Sequence, residues 1–381
     1  MSDAYFINKV FVNTTALRHN LREARQLAGS RQIMAVLATD AYGHGLGPSA
    51  RTLAQAGVDA LSAASLDEAL SLRENGLELP AYILGGVRRP EDMEEAIRQG
   101  FYIFSSCPEE VRGLSETGAR LGLKAKVHLK IDTGLGRRGL RCESFQDFLA
   151  EIRDWPSLEI LGLATQLATA GDSGAEEQLR RFDILCARAE ALGLKGLNNS
   201  ALSSGGLLCH TAHPAPMVRL GLMLYGVFPA REMGPLRPDL RPAMTVLSRV
   251  THLHDLLPGE SIGYGRPYLV RKPMRVAMIP FGSGQGLSYT RSGRGWVLIK
   301  GRKAPQVGAV GLNYSTYDVS NIPDVTVGDN VVILGRHTIE SIRAEDLAAW
   351  SNSNPYEVLT LLGKLNHRQI EGSDYEEDAG D

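Results

Sequence analysis

The chain has 381 residues, of which 43% are apolar and 22% charged, and its formal net charge is −2. This length exceeds the usual range of a single domain, so two domains are expected. The balanced charge argues against a nucleic-acid partner and against binding to an anionic membrane.

Residues 30–220 alternate between short apolar runs and amphipathic helical stretches, after an earlier helix capped by Thr14 or Thr15. Eight strand–helix units predict an α/β fold, a parallel (β/α)8 barrel of the TIM type. A doubly wound sheet would give the same local pattern, but no Gly-rich nucleotide turn follows the first strand, which favours the barrel. The predicted strands are Ile33–Leu37, Ala60–Ala63, Tyr82–Leu84, Phe101–Phe104, Val127–Ile131, Ile160–Ala164, Gly196–Asn198 and Met217–Arg219.

From residue 236 onward the pattern becomes that of a mainly β domain. Runs such as Thr245–Leu253 and Val331–Leu334 are β-rich and are separated by Gly, Pro and Asp turns. We therefore expect a barrel domain over 1–235 and a β-rich C-terminal domain over 236–370. Residues 371–381 are acidic and are predicted to be a disordered tail.

Cysteine usage and the absence of long apolar runs favour a cytoplasmic protein. The sequence MSDAYFINKV at the start lacks the apolar run of a signal peptide. No stretch approaches the roughly 18 apolar residues of a membrane span. Neither a disulfide framework nor a zinc site is predicted, because the cysteines are far apart and form no CxxC pair: Cys107, Cys142, Cys186 and Cys209.

Six short motifs follow the predicted elements. AVLATDAYGHG (35–45) ends the first barrel strand, which is where barrel enzymes place their chemistry. The motifs resemble the alanine racemase family in order and spacing over residues 8–362. This resemblance implies a pyridoxal 5′-phosphate-dependent amino-acid racemase with a barrel and a β domain. The other five motifs are LKIDTGLGRRG (129–139), NNSAL (198–202), MVRLGLMLYG (217–226), IGYGRPY (262–268) and NPYEV (354–358).

The resemblance also implies which residues hold the cofactor. Arg219 would face the pyridine nitrogen, and an arginine cannot give that nitrogen a proton because it stays protonated itself. Phenol, hydroxyl and backbone amide donors suit a phosphate dianion. Ser200 is further expected to begin a helix, whose N-terminus favours negative charge. The groups implied to hold the phosphate are Tyr42, Ser200, Tyr356 and the backbone of Gly221 and Leu222.

Two basic residues of LKIDTGLGRRG match family positions close to the substrate. Arg137 matches the arginine near the substrate carboxylate and the cofactor's 3′-oxygen. Lys130 matches a lysine that the family often carbamylates, which would convert a buried cation into an anion beside Arg137. An ordinary ion-paired lysine is the alternative. We interpret His44 as structural, and the other histidines show no metal-ligand spacing, so no metal is expected.

Racemisation requires proton removal on one face of the α-carbon and delivery on the other, which two bases do most directly. Tyr264 matches the tyrosine that the family supplies from the partner subunit, which implies a homodimer with shared active sites. Ala38 stands where the family has the lysine that binds the cofactor covalently. A methyl group can neither bind the cofactor nor accept a proton. Either a working enzyme carries a deliberate lysine-to-alanine replacement, or the chain is a natural variant.

Several positions depart from the family near the substrate. Gln166 replaces a histidine that links Arg219 to the catalytic tyrosine, and glutamine cannot carry charge. Ser283 and Leu312 replace a corridor tyrosine and a pocket methionine. We expect a substrate that is larger or more polar than alanine, a small-molecule amino acid in either case; drift around an unchanged alanine pocket is the alternative.

Two further functions remain open. A pyridoxal-phosphate enzyme of the same scaffold could decarboxylate, eliminate or cleave by a retro-aldol reaction, and the departures at Gln166 and Ser283 allow this. A non-catalytic cofactor-binding protein is the third hypothesis. Ala38 makes the chain inactive as written for ordinary racemisation under each of them.

Overall fold

A computed structural model describes residues 7–229 and 236–372. Its helices are Thr14–Ala28, Leu46–Gln55, Leu66–Glu74, Pro90–Arg98, Pro108–Leu121, Phe145–Ile152, Ser173–Ala191, Ser204–Cys209, Ala344–Ser351 and Pro355–Lys364. A short segment, Ala38–Tyr42, with left-handed backbone over residues 39–42, lies between the first barrel strand and the helix Leu46–Gln55.

Eight parallel strands close into the predicted barrel. The last strand pairs with the first, with Val218 opposite Ile33, so the ring is complete. A short ninth strand, Leu140–Arg141, extends from the fifth. The barrel strands are Gln32–Val36, Ala60–Ala63, Ala81–Ile83, Tyr102–Ser105, Ala125–Asp132, Leu158–Ala164, Ser200–Ser203 and Met217–Leu220.

The apolar residues of the barrel strands alternate between two cores. Ile33 and Ala35 face the helices and belong to the large outer core. Met34 belongs to a separate cluster with inward residues of other strands, including Phe104 and Met217. The barrel is therefore filled by side chains, as the packing of eight strands requires, and only its mouth can hold a ligand.

The seventh strand is the one that the sequence prediction misplaced. It runs over Ser200–Ser203, whereas 196–198 was predicted. Ser200 therefore begins a strand, and the expectation that it begins a helix is wrong. The helix begins at Ser204, after Ser203 in extended conformation. The polar and small residues of this strand mask its burial, so apolar periodicity did not reveal it.

The second domain is built on a β sheet, in agreement with the predicted β-rich C-terminal domain. Its strands within the described ranges are Met244–Arg249, His252–Leu256, Met274–Ile279, Trp296–Ile299, Arg302–Val307, Ser315–Asp318, Asn330–His337, Glu340–Ile342 and His367–Glu371, with a hairpin of Ser261–Ile262 and Tyr268–Leu269. Its core is separate from the barrel core.

The N-terminal strand Lys9–Asn13 belongs to this second sheet and not to the barrel. It pairs antiparallel with Met244–Arg249 and parallel with His367–Glu371. The predicted barrel domain over 1–235 includes these five residues, whereas their strand pairing joins them to segments that are distant in sequence. The predicted tail lies outside the described residues, apart from Glu371 and Gly372.

Candidate active site at the barrel mouth

A cavity of about 580 Å³ lies at the C-terminal ends of the barrel strands. It brings together eight of the predicted cofactor, catalytic and substrate residues, which come from four of the sequence motifs and from the loop at 166. None of its described lining residues is acidic. The lining consists of Val36, Ala38, Tyr42, Ala64, Leu84, Gly85, Lys130, Arg137, Arg138, Gln166, Ser203, Ser204, Arg219, Gly221, Leu222 and Tyr356.

The chain makes a left-handed turn immediately after the first strand. Thr39, Asp40, Ala41 and Tyr42 have φ values of 57°, 58°, 54° and 52°. For residues with a side chain this conformation costs roughly 1–2 kcal/mol each. Strain of this kind persists only where the surroundings enforce it, and it is concentrated at functional sites. Here it places Ala38 and Tyr42 on the same cavity.

Tyr42, Tyr356 and Gly221 form one wall of the cavity. The two phenol rings have centroids 5.7 Å apart. A Cβ added to Gly221 would lie 2.7 Å from the Tyr42 hydroxyl oxygen, so only glycine permits this approach. Burial raises the pKa of both phenols above the usual value. Both therefore stay protonated at neutral pH and can donate to an anion.

Ser204 completes this wall, and sequence reasoning missed it. Its hydroxyl oxygen accepts hydrogen bonds from the amides of Gly221 (3.1 Å) and Met223 (3.3 Å). Ser200 does not line the cavity; it is fully buried and its oxygens accept from Arg219. The sequence did contain a signal for Ser204: it precedes two glycines and the apolar pair Leu207 and Leu208, and a serine before an apolar stretch is typical of a helix start.

Arg219 lies at the base of the cavity in a ring of acceptors. It donates to the Ser200 carbonyl (2.7 Å) and hydroxyl (2.6 Å), the Thr165 carbonyl and the Gln166 side-chain oxygen (3.1 Å). Burial lowers its pKa to about 10. It is still a cation at neutral pH, and every acceptor around it is neutral. Gln166 thus orients Arg219 without compensating its charge.

Lys130 and Arg137 add two more cations to the cavity. Burial, followed by the charges of Arg219, Arg137 and Arg138, lowers the pKa of Lys130 to about 8. Arg138 also lines the cavity, where it donates to the Ser106 hydroxyl and to the Gly85 carbonyl. Arg137 is exposed on the rim. An anion entering the cavity would therefore meet free positive charge at Arg137.

Three further predicted site residues are not at this cavity. Tyr264 is 99% exposed, in the loop between the two strands of the hairpin. Leu312 is 69% exposed. Ser283 is exposed and donates its amide to the Gly311 carbonyl, while Gly284 donates to the Leu312 carbonyl. These backbone contacts place Ser283 beside Leu312, and we use the name exposed face for these two residues and the exposed Tyr264.

His44 lies behind the cavity wall. It is fully buried and stacks on Tyr225 with ring centroids 4.4 Å apart, and its Nδ1 bonds to the Ala41 carbonyl (2.9 Å). Burial lowers its pKa to about 4. It does not line the cavity, in agreement with the structural role expected from the sequence.

Some kinds of site are not found in the described part of the chain. Within residues 7–229 and 236–372, no three acidic, histidine or cysteine side chains form a group that could hold a metal. The four cysteines are free thiols. No described helix is long and apolar enough to cross a membrane.

A phosphorylated pyridine cofactor has three groups to be bound: the phosphate, the ring nitrogen and the aldehyde. The cavity has suitable residues for the first two. Protonated phenols, Ser204 and the close approach at Gly221 form a cradle for a phosphate, and Arg219 offers a donor to a ring nitrogen. For the third group, the aldehyde, Ala38 has no amine. The fold and the cavity together define a class of enzyme. Its members have a (β/α)8 barrel that binds an anionic cofactor at the C-terminal ends of its strands, and a β domain beside the barrel.

Comparison with known proteins identifies the family. The alanine racemase N-terminal domain model matches residues 12–229, and the C-terminal domain model matches 243–370. This chain belongs to the alanine racemase family, whose members use pyridoxal phosphate.

Similar proteins extend over nearly the whole chain. It is 38% identical to an alanine racemase of Syntrophobacter fumaroxidans over 93% of this chain and 95% of the relative. The solved structure of alanine racemase from Streptomyces lavendulae superimposes with a TM-score of 0.90 at 28% identity, over 97% and 98% of the chains. A Bartonella henselae alanine racemase with covalently bound pyridoxal phosphate has a TM-score of 0.87 at 25% identity, over 96% and 99%.

Proposed function

We propose that this chain is a pyridoxal-phosphate amino-acid racemase scaffold in which Ala38 has removed one of two bases. The observation that carries the proposal is the cavity: Ala38 lies in it beside Tyr42, Arg219 and Gly221, whose chemistry suits the cofactor. A bound cofactor would withdraw electrons from the substrate α-carbon and make its proton acidic.

Each cavity residue has a distinct role in this proposal. Tyr42, Ser204 and Tyr356 bind the phosphate, together with the amide of Leu222, while the Gly221 amide holds the Ser204 hydroxyl in place. Arg219 orients the ring and withholds a proton from its nitrogen. Arg137 binds the substrate carboxylate as a guanidinium–carboxylate pair. With these groups the site can hold cofactor and substrate, but Ala38 offers no atom that could move a proton.

The opposite face of the substrate is assigned to Tyr264 of a second copy. A side chain that is 99% exposed, in a hairpin loop that does not line its own cavity, needs another surface to act on. Ser283 and Leu312 on the same exposed face would enter the partner's site with it. In this arrangement the phenol of Tyr264 delivers or removes the second proton.

The substrate proposed is an amino acid larger or more polar than alanine. Ser283 and Leu312 are the residues through which the exposed face would contact it. Gln166 is neutral, so the hydrogen bond that it accepts from Arg219 adds no charge at the substrate side of the cavity. We further propose that Ala38 is a replacement of a lysine, since Tyr42, Arg219 and Tyr356 keep the chemistry that a working cofactor site needs.

The test restores the missing base. Ala38→Lys protein, loaded with pyridoxal phosphate, is incubated with L- and D-amino acids in deuterated water, and α-proton exchange is followed by NMR. Ala38→Met serves as the control, because it fills similar space without an amine. Exchange with inversion of a larger or polar amino acid is expected in the lysine protein alone.

Other outcomes are equally decisive. A clear preference for alanine would reject the substrate proposal while keeping the racemase. A decarboxylated or cleaved product would favour the different-reaction hypothesis. Cofactor binding without turnover of any amino acid would favour a non-catalytic protein. Borohydride should fix the cofactor to the lysine protein and not to the Ala38 protein.

A further inference from the structure

The left-handed turn of residues 39–42 is held by groups that do not line the cofactor cavity. The amide of Asp40 donates to the Glu68 carboxylate (3.1 Å), and the Asp40 carboxylate accepts from the Leu46 amide (2.7 Å). These contacts fix the turn within the barrel domain.

The third contact crosses from the other domain. Arg368 forms an ion pair with Asp40 and also donates to the Gly43 carbonyl at 3.1 Å. It lies on the strand His367–Glu371, which belongs to the second sheet. Both charged side chains are only partly accessible, at 29% and 27%. The Arg368 guanidinium thus contacts the turn at Asp40 and at Gly43, the residue that follows it.

The backbone of the second domain also presses on this turn. A Cβ added to Gly363 would lie 1.9 Å from the Gly43 carbonyl oxygen. Gly363 is on the helix Pro355–Lys364, which also carries Tyr356 to the cavity. Helix and strand of the second domain therefore both contact the end of the turn.

Release of the turn would move Tyr42. The turn is the backbone link between Ala38 and Tyr42, and a relaxed right-handed backbone would send the Tyr42 side chain in another direction. The Tyr42 hydroxyl would then leave Gly221, which it approaches too closely for any other residue at that position. A phosphate would lose a donor.

We propose that Arg368 is a positioning residue for the cofactor phosphate, acting from the second domain through Asp40 and the Gly43 carbonyl to keep Tyr42 against Gly221. The inference rests on the proposed cofactor site. It makes the affinity for pyridoxal phosphate depend on the docking of the C-terminal strand, although that strand contributes no atom to the cavity.

The test compares four full-length proteins: Arg368→Gln, Arg368→Lys, Asp40→Asn and the Asp40→Asn/Arg368→Gln pair. Asp40→Asn keeps an acceptor for the Leu46 amide and removes only the ion pair. Dissociation constants for pyridoxal phosphate are measured by absorbance titration. Loss of one partly accessible ion pair should raise the constant about threefold. The pair variant should lose no more than Arg368→Gln alone, and Arg368→Lys should recover part of the affinity.

A second readout needs no cofactor. Amide hydrogen exchange of residues 39–46 should accelerate in the Gln variant, because the strained turn opens more often. The matched control is Arg25→Gln, since Arg25 and Asp59 form an ion pair of similar accessibility, 35% and 36%, at the opposite end of the first barrel strand. This control should change neither measurement.

The outcomes separate the two proposals. Wild-type affinity in both Arg368→Gln and Asp40→Asn, with unchanged exchange at 39–46, overturns the positioning role and leaves the cofactor site intact. No binding of pyridoxal phosphate by the unaltered chain overturns the proposed function, and the exchange rates still decide whether Arg368 holds the turn. If Arg368→Gln does not fold, Asp40→Asn carries the same comparison.

Discussion

The barrel mouth and the exposed face of the second domain are built in opposite ways. At the mouth, Arg219 has four neutral acceptors and Ser204 two amides, and almost every polar atom of these two residues has a partner before any ligand arrives. On the exposed face, Tyr264 and Leu312 extend from loops into solvent. One region is preorganised within a single chain, whereas the other gains contacts only from a further surface. In the proposed dimer, the cofactor-binding groups would be held in place within one chain, and the second proton-transfer group would come from the other chain.

The largest expected change in activity comes from the substitution that tests whether Tyr264 acts in the active site of another chain. Tyr264→Phe in the Ala38→Lys background should lower racemisation about 10³-fold, because one proton-transfer group is lost. Co-expression of that double variant with the unaltered chain should make about a quarter of all sites active. With random pairing about half of the dimers are mixed, and one of the two sites in each combines the restored lysine of one copy with Tyr264 of the other. Racemisation rates of the mixed and separate proteins are compared.

Two inactive proteins that stay inactive together would show that Tyr264 serves its own cavity. Sedimentation of the same samples confirms that mixed dimers are present, so absence of recovery is informative. Either result decides which chain uses the exposed face.

The second prediction concerns the pH dependence of the barrel interior. His128 is fully buried and stacks on Phe104, and burial followed by the charge of Arg219 lowers its pKa to about 4. A lowered histidine pKa means that the unfolded chain binds the proton more readily. Stability should therefore fall as pH drops from about 6.5 toward 4, by of order 3 kcal/mol for this residue.

The measurement is denaturant unfolding between pH 7 and pH 4. His128→Gln should flatten part of the acid-side slope, and the remaining slope includes His44. His254→Gln, on an exposed strand of the second domain, should leave the slope as it is. An unchanged slope in His128→Gln would contradict the buried neutral imidazole.

A third prediction probes the close approach at the phosphate cradle. Gly221→Ala places a methyl group 2.7 Å from the Tyr42 hydroxyl and should displace that ring. An overpacking cost of roughly 2 kcal/mol corresponds to about thirtyfold weaker binding of pyridoxal phosphate. Absorbance titration measures the change.

The control for this substitution is Gly171→Ala, whose added methyl would meet only Cys209 at 3.6 Å. Equal affinity in both alanine variants would mean that the Tyr42–Gly221 contact has no part in cofactor binding.

The smallest effect concerns the chemical state of Lys130. Because its pKa is lowered to about 8, the fraction of neutral amine rises steeply between pH 7 and pH 9. Neutral amines react with carbon dioxide, so a carbamate carbon signal should grow over this range in 13C-bicarbonate NMR and vanish in Lys130→Met. A signal independent of pH, or one retained in the methionine variant, would exclude Lys130 as its source.

Sequence motifs predicted much of the barrel mouth. Residues such as Tyr42, Arg219 and Gly221 each end or follow a barrel strand, and parallel strands bring their C-terminal ends to one mouth. The order of the motifs and the spacing of the strand–helix units can both be read along the chain, so both could be predicted without the structure. Ser200 was predicted in place of Ser204 because the motif NNSAL does not indicate where the seventh strand ends.

Other features depended on contacts between distant segments. Pairing of Lys9–Asn13 with Met244–Arg249 and His367–Glu371 has no signal in the first residues alone. The left-handed turn at 39–42 contains no glycine, so intrinsic preference predicts a right-handed backbone there.

The alternation of strands and helices, the change to a β domain and the residue types around position 38 could all be predicted from the amino-acid sequence. Which serine lines the cavity, that Tyr264 is exposed outside it, and that Arg368 contacts the turn became clear only in the folded chain. The physical reason is that periodicity and motifs record local backbone preference, whereas strain, burial and cross-domain ion pairs depend on segments that folding brings together.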